Sequence, residues 1–426
     1  MSRILVHIPM IPHGEYDVFS PFDSEKFCQV VQERCSGVCP NIGNRLWFQG
    51  LISEISTPEN QIAYFSDTMS KDYINSSFDF IIAPMANVFS MNYVSLLERL
   101  ATRFDGIRIP VYVIACGIQA QSRDQLDELC RYLKPSASAF IASVYNTGGE
   151  FALRGFLTKE FFEKLGFRSA VVTGCPSLFQ CGPDLHITND KVPKDRFLPL
   201  FNGRPQYYTS QMNSYPQAEY FDQETFFPEL WNPDTFSDTE QNGKYLRRLV
   251  KAYGYEVTQL LLNERIRLIP DMNTWREYLI QKNFSLSFGS RIHGSIMPIL
   301  AGIPTVLETR DARTQEMAEF FGIPTVKPGA CPDAGSLYEL YQGLDYSVFN
   351  RKFRQRYDAY EDFLKQYGIV KQIRRDNVFF KSVPDLELHT DNGVRLEELR
   401  SDFYRARAFY VTLDRMIQAK RKLLPG

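Results

Sequence analysis

Short apolar runs that stop at glycine, proline or a polar residue recur along the chain, each followed by a stretch with helical spacing. Residues 78–84 (FDFIIAP), 111–117 (VYVIACG) and 169–172 are runs of this kind, and 196–201, 266–269, 284–288 and 305–307 repeat the pattern further on. Such runs are too short for buried helices and suit strands covered on both faces. Helical spacing at 94–103, 125–133 and 158–166, then at 244–253, 274–281 and 313–321, supplies the covering layers. Strands alternating with helices imply a parallel sheet. A further strand is expected at 139–144, and another at 207–211.

The alternation breaks once, at the polar, proline-bearing stretch 182–196 (GPDLHITNDKVPKDR), which reads as the connection between two domains. The expected division is 1–190, 191–343 and a helical C-terminal extension over 344–426. Two successive α/β domains facing a cleft leave that cleft as the natural ligand site. A chain of 426 residues with 44% hydrophobic and 23% charged content suits this size class.

Charge and hydropathy exclude several functions. A net charge of -2 gives no electrostatic reason to expect nucleic acid as a partner. No apolar run approaches the roughly 20 residues that span a bilayer. The start, MSRILVHIPMIPHGEY, lacks the apolar core of a signal peptide, so a cytoplasmic location is expected. The first segment reads as irregular, with Pro9, Pro12 and Pro21 and an amphipathic stretch at 27–31. Of 8 cysteines, Cys35 and Cys39 are closest, without a second pair nearby for zinc, and Cys116 and Cys175 read as buried small residues. The last helix ends in a basic cluster, which fits a solvated helix or peripheral attachment to the inner face of a membrane.

Dinucleotide-binding, P-loop and nucleophile-elbow glycine motifs are absent. The chemistry-bearing stretch is 288–319, FGSRIHGSIMPILAGIPTVLETRDARTQEMAE. There Arg291 and His293 stand two residues apart where a strand turns into a helix, with the turn amides of Gly294 and Ser295 beside them. Helix N-termini favour anions, and arginine adds a permanent, forked charge. A histidine in such a turn also serves as a hydrogen-bonded structural residue. Glu308, Asp311, Arg313 and Glu316 follow, either as a helix cap with a surface ion pair between Arg313 and Glu316, or as cleft-facing groups. Further candidates are Asn41, Gly43 and Asn44 in a loop entering a helix, and Gln119 just beyond a strand. The aromatic stretch 213–241, with Tyr215, Tyr220, Phe226, Phe227 and Trp231, fits a lid or a satellite core equally well.

The segment 289–324, together with VVTGCPSLF (171–179), LRGFLTKEFFEKLGF (153–167) and PNIGN (40–44), resembles the polysaccharide pyruvyl transferase family. The resemblance implies two Rossmann-like domains facing a cleft, as in GT-B glycosyltransferases. It implies transfer of pyruvate from phosphoenolpyruvate, a co-substrate, to a lipid-linked or nucleotide-linked sugar of a cell-surface polysaccharide precursor, giving a ketal. Many members carry Asn-x-Gly-Asp in the N-terminal loop, and here Asn44 stands in the acidic place. On this reading Arg291, Gly294, Ser295 and Arg313 bind the donor. His293, as imidazolium, is the acid or neutralises departing phosphate. Neither metal nor other cofactor is expected. The alternative is a GT-B-type glycosyltransferase using a nucleotide-sugar donor, because fold alone does not fix the reaction.

Overall fold

The computed structural model describes residues 2–8, 41, 43–55, 57–188, 190–223, 239–269, 272–371 and 393–423. Within them lie two six-stranded sheets, parallel throughout. The first contains β1 (Ser2–Val6), β2 (Asn60–Tyr64), β3 (Phe80–Pro84), β4 (Val111–Cys116), β5 (Glu150–Leu153) and β6 (Val171–Val172), in the order β2-β1-β3-β4-β5-β6. The second contains β7 (Pro199–Asn202), β8 (Glu219–Phe221), β9 (Ile266–Arg267), β10 (Leu286–Gly289), β11 (Thr305–Glu308) and β12 (Thr325–Val326), in the order β12-β11-β10-β7-β8-β9. Both are doubly wound, so the chain is an α/β protein of two Rossmann-like domains with a GT-B-like layout. In the second sheet the winding reverses between β7 and β10, where Phe288 pairs with Phe201 and Gly289 with Asn202. Doubly wound sheets collect ligands beyond the strand carboxyl ends at that reversal.

Several expectations about single elements change. Residues 2–6 are strand β1 between β2 and β3, with Ile4 and Leu5 fully buried; the prolines and His7 that follow had masked a five-residue strand. Residues 139–144 are helical, not a strand: the helix Leu126–Asn146 runs through Pro135 and buries Ala137, Phe140, Ile141 and Val144. Those positions follow the i, i+3, i+4, i+7 spacing of a helix face. The strand of that region is β5. Residues 207–211 are not a strand either, because a turn at Pro205–Tyr207 leads into the helix Thr209–Ser214.

Within the aromatic stretch, Tyr215 and Tyr220 are core residues of the second domain, with Tyr220 at the centre of β8, which ends at Phe221 before Gln223. Phe226, Phe227 and Trp231 lie outside the described residues, as do 27–31, Cys35, Cys39 and the polar break at 382–392.

One apolar core runs through both domains. It joins Ile4, Trp47, Ile114 and Phe179 to Leu200, Trp275, Ile296 and Met317. The helix Ser347–Gln366 leaves the second domain and returns to the first, stacking Tyr360 on Phe179 at 4.8 Å. Its Tyr360 hydroxyl donates to Glu54 Oε2 at 2.9 Å. Burial raises the Glu54 carboxyl to about 7, while Lys371 and Tyr360 pull it the other way. The last two helices, Gly393–Arg405 and Arg407–Leu423, pack on the second domain, with Phe403 stacked between Tyr255 and Tyr410. Among the described residues no helix is long and apolar enough to cross a membrane.

Candidate active site

The turn after β10 is built around Asn202, the last residue of β7. Its Oδ1 accepts the Arg291 N–H at 2.9 Å and its Nδ2 donates to Ser295 Oγ at 3.4 Å. Arg291 is the N-cap of the helix Ile292–Leu300, in extended conformation and without a side-chain cap. Helical geometry leaves the first-turn amides of Ile292, His293 and Gly294 without an intrahelical acceptor. Ser295 differs from its expected role: its N–H is bonded to the Arg291 carbonyl at 2.9 Å and its side chain is fully buried. It holds Asn202, and the available amides lie one to three residues earlier.

Close packing fixes the glycines. A Cβ on Gly289 would sit 2.0 Å from the Asn202 carbonyl oxygen, which only glycine avoids. One on Gly294 would lie 2.8 Å from Gln223 Oε1 and 3.1 Å from the Asn202 side chain. Gly294→Ala is therefore expected to cost about 1–3 kcal/mol of stability, the usual penalty for overpacking. Denaturant unfolding checks this, and an unchanged midpoint would mean that Gln223 swings clear.

Facing this turn is Arg154, which follows β5 in the first domain. Its N–H donates to the Cys116 carbonyl at 2.9 Å, and its Nη1 to Asn87 Oδ1 at 2.7 Å. The side chain is buried, yet Nε and Nη2 have no partner among the described residues. Arg313, in the first turn of the helix Ala312–Phe321, pairs with Asp311 at 3.1 Å and leaves its own Nε unpartnered. His293 is buried with Nε2 likewise unsatisfied.

The electrostatics tie these groups together. Burial first, then the charges of Arg154 and Arg313, hold the His293 pKa well below the usual histidine value. Arg313 is also pushed down, chiefly by burial, with Arg154 and Arg291 adding to the effect and Asp311 opposing it. One guanidinium group from each domain thus bears on one imidazole, and Arg291 bears on Arg313. A pair of like unit charges about 5 Å apart repels by ~3 kcal/mol at an effective dielectric of about 20. Repulsion of that size between Arg154 and Arg313 is what a bound anion would relieve. Burial and these neighbouring charges thus favour the neutral imidazole in the ligand-free protein, against the expectation of imidazolium.

The remaining candidates separate by what their side chains already hold. Asp311 is the N-cap, accepting the Thr314 N–H at 2.7 Å, and it, not Glu316, is the partner of Arg313. Glu308 is buried and engaged by the Gly329 N–H at 2.9 Å, the Tyr208 hydroxyl at 3.2 Å and Arg310. Glu316 bonds the first domain through Thr158. Asn41 accepts from Gln223 Nε2 at 3.3 Å, and Gly43 packs on the same amide, so that loop reaches the second domain. The side chain of Asn44 lies outside the described residues. Gln119 is half-buried beside Ala120, whose carbonyl accepts the Ala312 N–H at 3.1 Å.

Sequence reasoning missed Arg154, Asn202 and Gln223 as site residues. Arg154 carried a usable signal, a charge just before a glycine at the end of an apolar stretch, which placing β5 correctly would have exposed. Gln223 follows a three-residue strand and carries none.

Two Rossmann-like domains that bring arginines of both to one buried histidine define a GT-B-like protein with its candidate site in the cleft. The sequence model of the family described as polysaccharide pyruvyl transferase matches residues 54–307, more than half of the chain, and the chain belongs to that family. It is accordingly a transferase. The match takes in Arg154, Asn202, Gln223, Arg291 and His293 and ends before Asp311. No curated protein matches the chain in sequence.

Similar solved structures include a UDP-N-acetylglucosamine 2-epimerase, 9% identical with a TM-score of 0.40, covering 88% of this chain and 97% of that one. Others are MnaA from S. aureus with UDP (11%, TM-score 0.40, 87% and 97%) and the glycosyltransferase SnogD from Streptomyces nogalater (10%, TM-score 0.36, 87% and 99%). At these values the likeness extends no further than the general course of the chain.

Proposed function

We propose that the protein moves the pyruvyl unit of phosphoenolpyruvate onto two hydroxyls of a sugar in a cell-surface polysaccharide precursor, forming a ketal. The observation that carries this reading is the convergence of Arg154 and Arg313, one from each domain, on the buried His293, with Arg291 beside Arg313. Phosphoenolpyruvate brings a carboxylate and a phosphate on one carbon, and a fork of guanidinium groups can share both. Family membership supports the same donor.

The chemistry balances with two sugar hydroxyls and no further reactant. The enol CH2 takes one proton and becomes the methyl group, leaving an electron-poor carbon that the first hydroxyl attacks. The bond from that carbon to the phosphate oxygen breaks, and the second hydroxyl closes the ketal. Of the two hydroxyl protons, one replaces the proton given to the methyl carbon and the other leaves with phosphate. Donor binding neutralises the arginines around His293, so the imidazole takes up a proton that it then delivers. The acceptor, lipid-linked or nucleotide-linked, enters beside Asn41 and Gln119. Docking at the inner face of a membrane would use the helix Arg407–Leu423, where Phe409 and Met416 are exposed near Arg415 and Lys420.

The test is ligand-induced stabilisation alongside phosphate release. Phosphoenolpyruvate at 100 times its Kd is expected to stabilise the fold by about 2.7 kcal/mol, with little effect from UDP. Release of phosphate should then require a glycan acceptor. Stabilisation by UDP with none by phosphoenolpyruvate would instead support the nucleotide-sugar alternative.

A further inference from the structure

Arg313 and Glu316 stand three residues apart on the helix Ala312–Phe321, a spacing that brings both to one face. Arg313 belongs to the anion cluster. Glu316 is buried and reaches into the first domain, accepting the Thr158 N–H at 2.6 Å on one carboxylate oxygen and the Thr158 hydroxyl at 3.0 Å on the other.

Thr158 lies in the first turn of the helix Phe156–Lys164, where backbone N–H groups lack partners within the helix. The N-cap there is Gly155, which has no side chain to cap with. Glu316 fills the place a side chain would take, since a Cβ on Gly155 would sit 2.2 Å from Glu316 Cγ. The second domain therefore supplies the cap that the first domain's own sequence omits. The Thr158 hydroxyl oxygen also accepts the Ile118 N–H at 3.2 Å, tying the contact to the end of β4. A second bond across the same seam runs from the Ala312 N–H to the Ala120 carbonyl at 3.1 Å. Arg154 is the residue directly before Gly155.

We infer that Glu316 is a positioning residue: its bond to Thr158 holds the two domains in the register where Arg154 and Arg313 share one donor anion. This rests on reading the arginine cluster as the phosphoenolpyruvate site. Glu316 itself touches no reacting atom and acts through Arg154.

A double-mutant cycle on the full-length chain separates this role from a merely structural one. Phosphoenolpyruvate affinity is measured calorimetrically for wild type, Glu316→Ala, Arg154→Ala and the double variant. Glu316→Ala is expected to weaken binding about tenfold in the wild-type background and less than about twofold when Arg154 is already gone, as coupled sites behave. Glu316→Gln, which keeps an acceptor for the Thr158 N–H, should restore affinity to within about threefold of wild type, the residual loss being that of an ionic hydrogen bond made neutral. Thr158→Val, which removes the hydroxyl's bonds to Glu316 and to the Ile118 N–H but keeps the Thr158 N–H bond to Glu316, serves if Glu316→Ala fails to fold. Equal losses in both backgrounds would overturn the assignment.

Should wild type bind inorganic phosphate but not phosphoenolpyruvate, the donor reading fails and the same cycle is read with phosphate. Binding of neither anion removes both.

Discussion

Arg154→Met is expected to weaken phosphoenolpyruvate binding while leaving the ligand-free protein as stable as wild type, or more so. Truncating one partner of a buried charge pair typically costs about 2–5 kcal/mol, which corresponds to an affinity loss of about 30- to 4,000-fold. Methionine keeps most of the buried volume and removes the charge. What the fold loses is one bond to Asn87, a half-buried residue that water can serve. What it gains is relief from repulsion by Arg313 and from burying unpartnered Nε and Nη2 groups. Binding sites are commonly places where stability has been given up for function. Calorimetric titration and a melting curve read the two halves separately. A lower melting temperature with unchanged affinity would make Arg154 a structural arginine and remove the first domain from the donor site.

How much of this was legible beforehand depends on where each side chain finds its partner. The Arg291-x-His293 turn could be found because its signal is local: a cation, an imidazole and a glycine within four residues at a strand end. Asp311 as a helix cap was legible for the same reason. The Arg313–Glu316 pair was misread because helical spacing says that two side chains share a face, not what that face meets. It meets Thr158, more than 150 residues away in the chain, in another domain. β1 and β5 were missed because SRILV and EFAL are only five and four residues long, EFAL buried throughout and SRILV over its last three residues, offering no alternation of exposure to read. Placing β5 would have put Arg154 at a strand carboxyl end beside the reversal-point residues of the other sheet. Asn202 and Gln223 are different: what makes them site residues is the approach of Gly294 to within contact of both, and no spacing records that.

His293 provides the sharpest pH signature. Unfolded histidine titrates near 6.5, whereas burial and the neighbouring arginines keep the folded, ligand-free residue neutral to well below that. Between the two values the unfolded chain binds a proton that the folded chain does not. Stability from this site is therefore complete above about pH 6.5 and is lost progressively as pH falls toward the folded pKa. Donor binding reverses the bias, because a carboxylate and a phosphate among the arginines favour the imidazolium. Phosphoenolpyruvate binding near pH 7 should thus carry proton uptake at His293, and its affinity should rise as pH is lowered from about 8 to 6.5 by the same linkage. Titration calorimetry in two buffers of different ionisation enthalpy counts the proton, and the same pair of titrations on His293→Gln subtracts any proton exchanged by the donor itself. His293→Gln should also lower kcat by about 10²- to 10⁴-fold, the range for a lost proton-transfer group, with a smaller change in donor affinity. Identical proton counts in wild type and His293→Gln would leave the imidazole neutral in the complex, and the proton for the methyl carbon would have to come from another group.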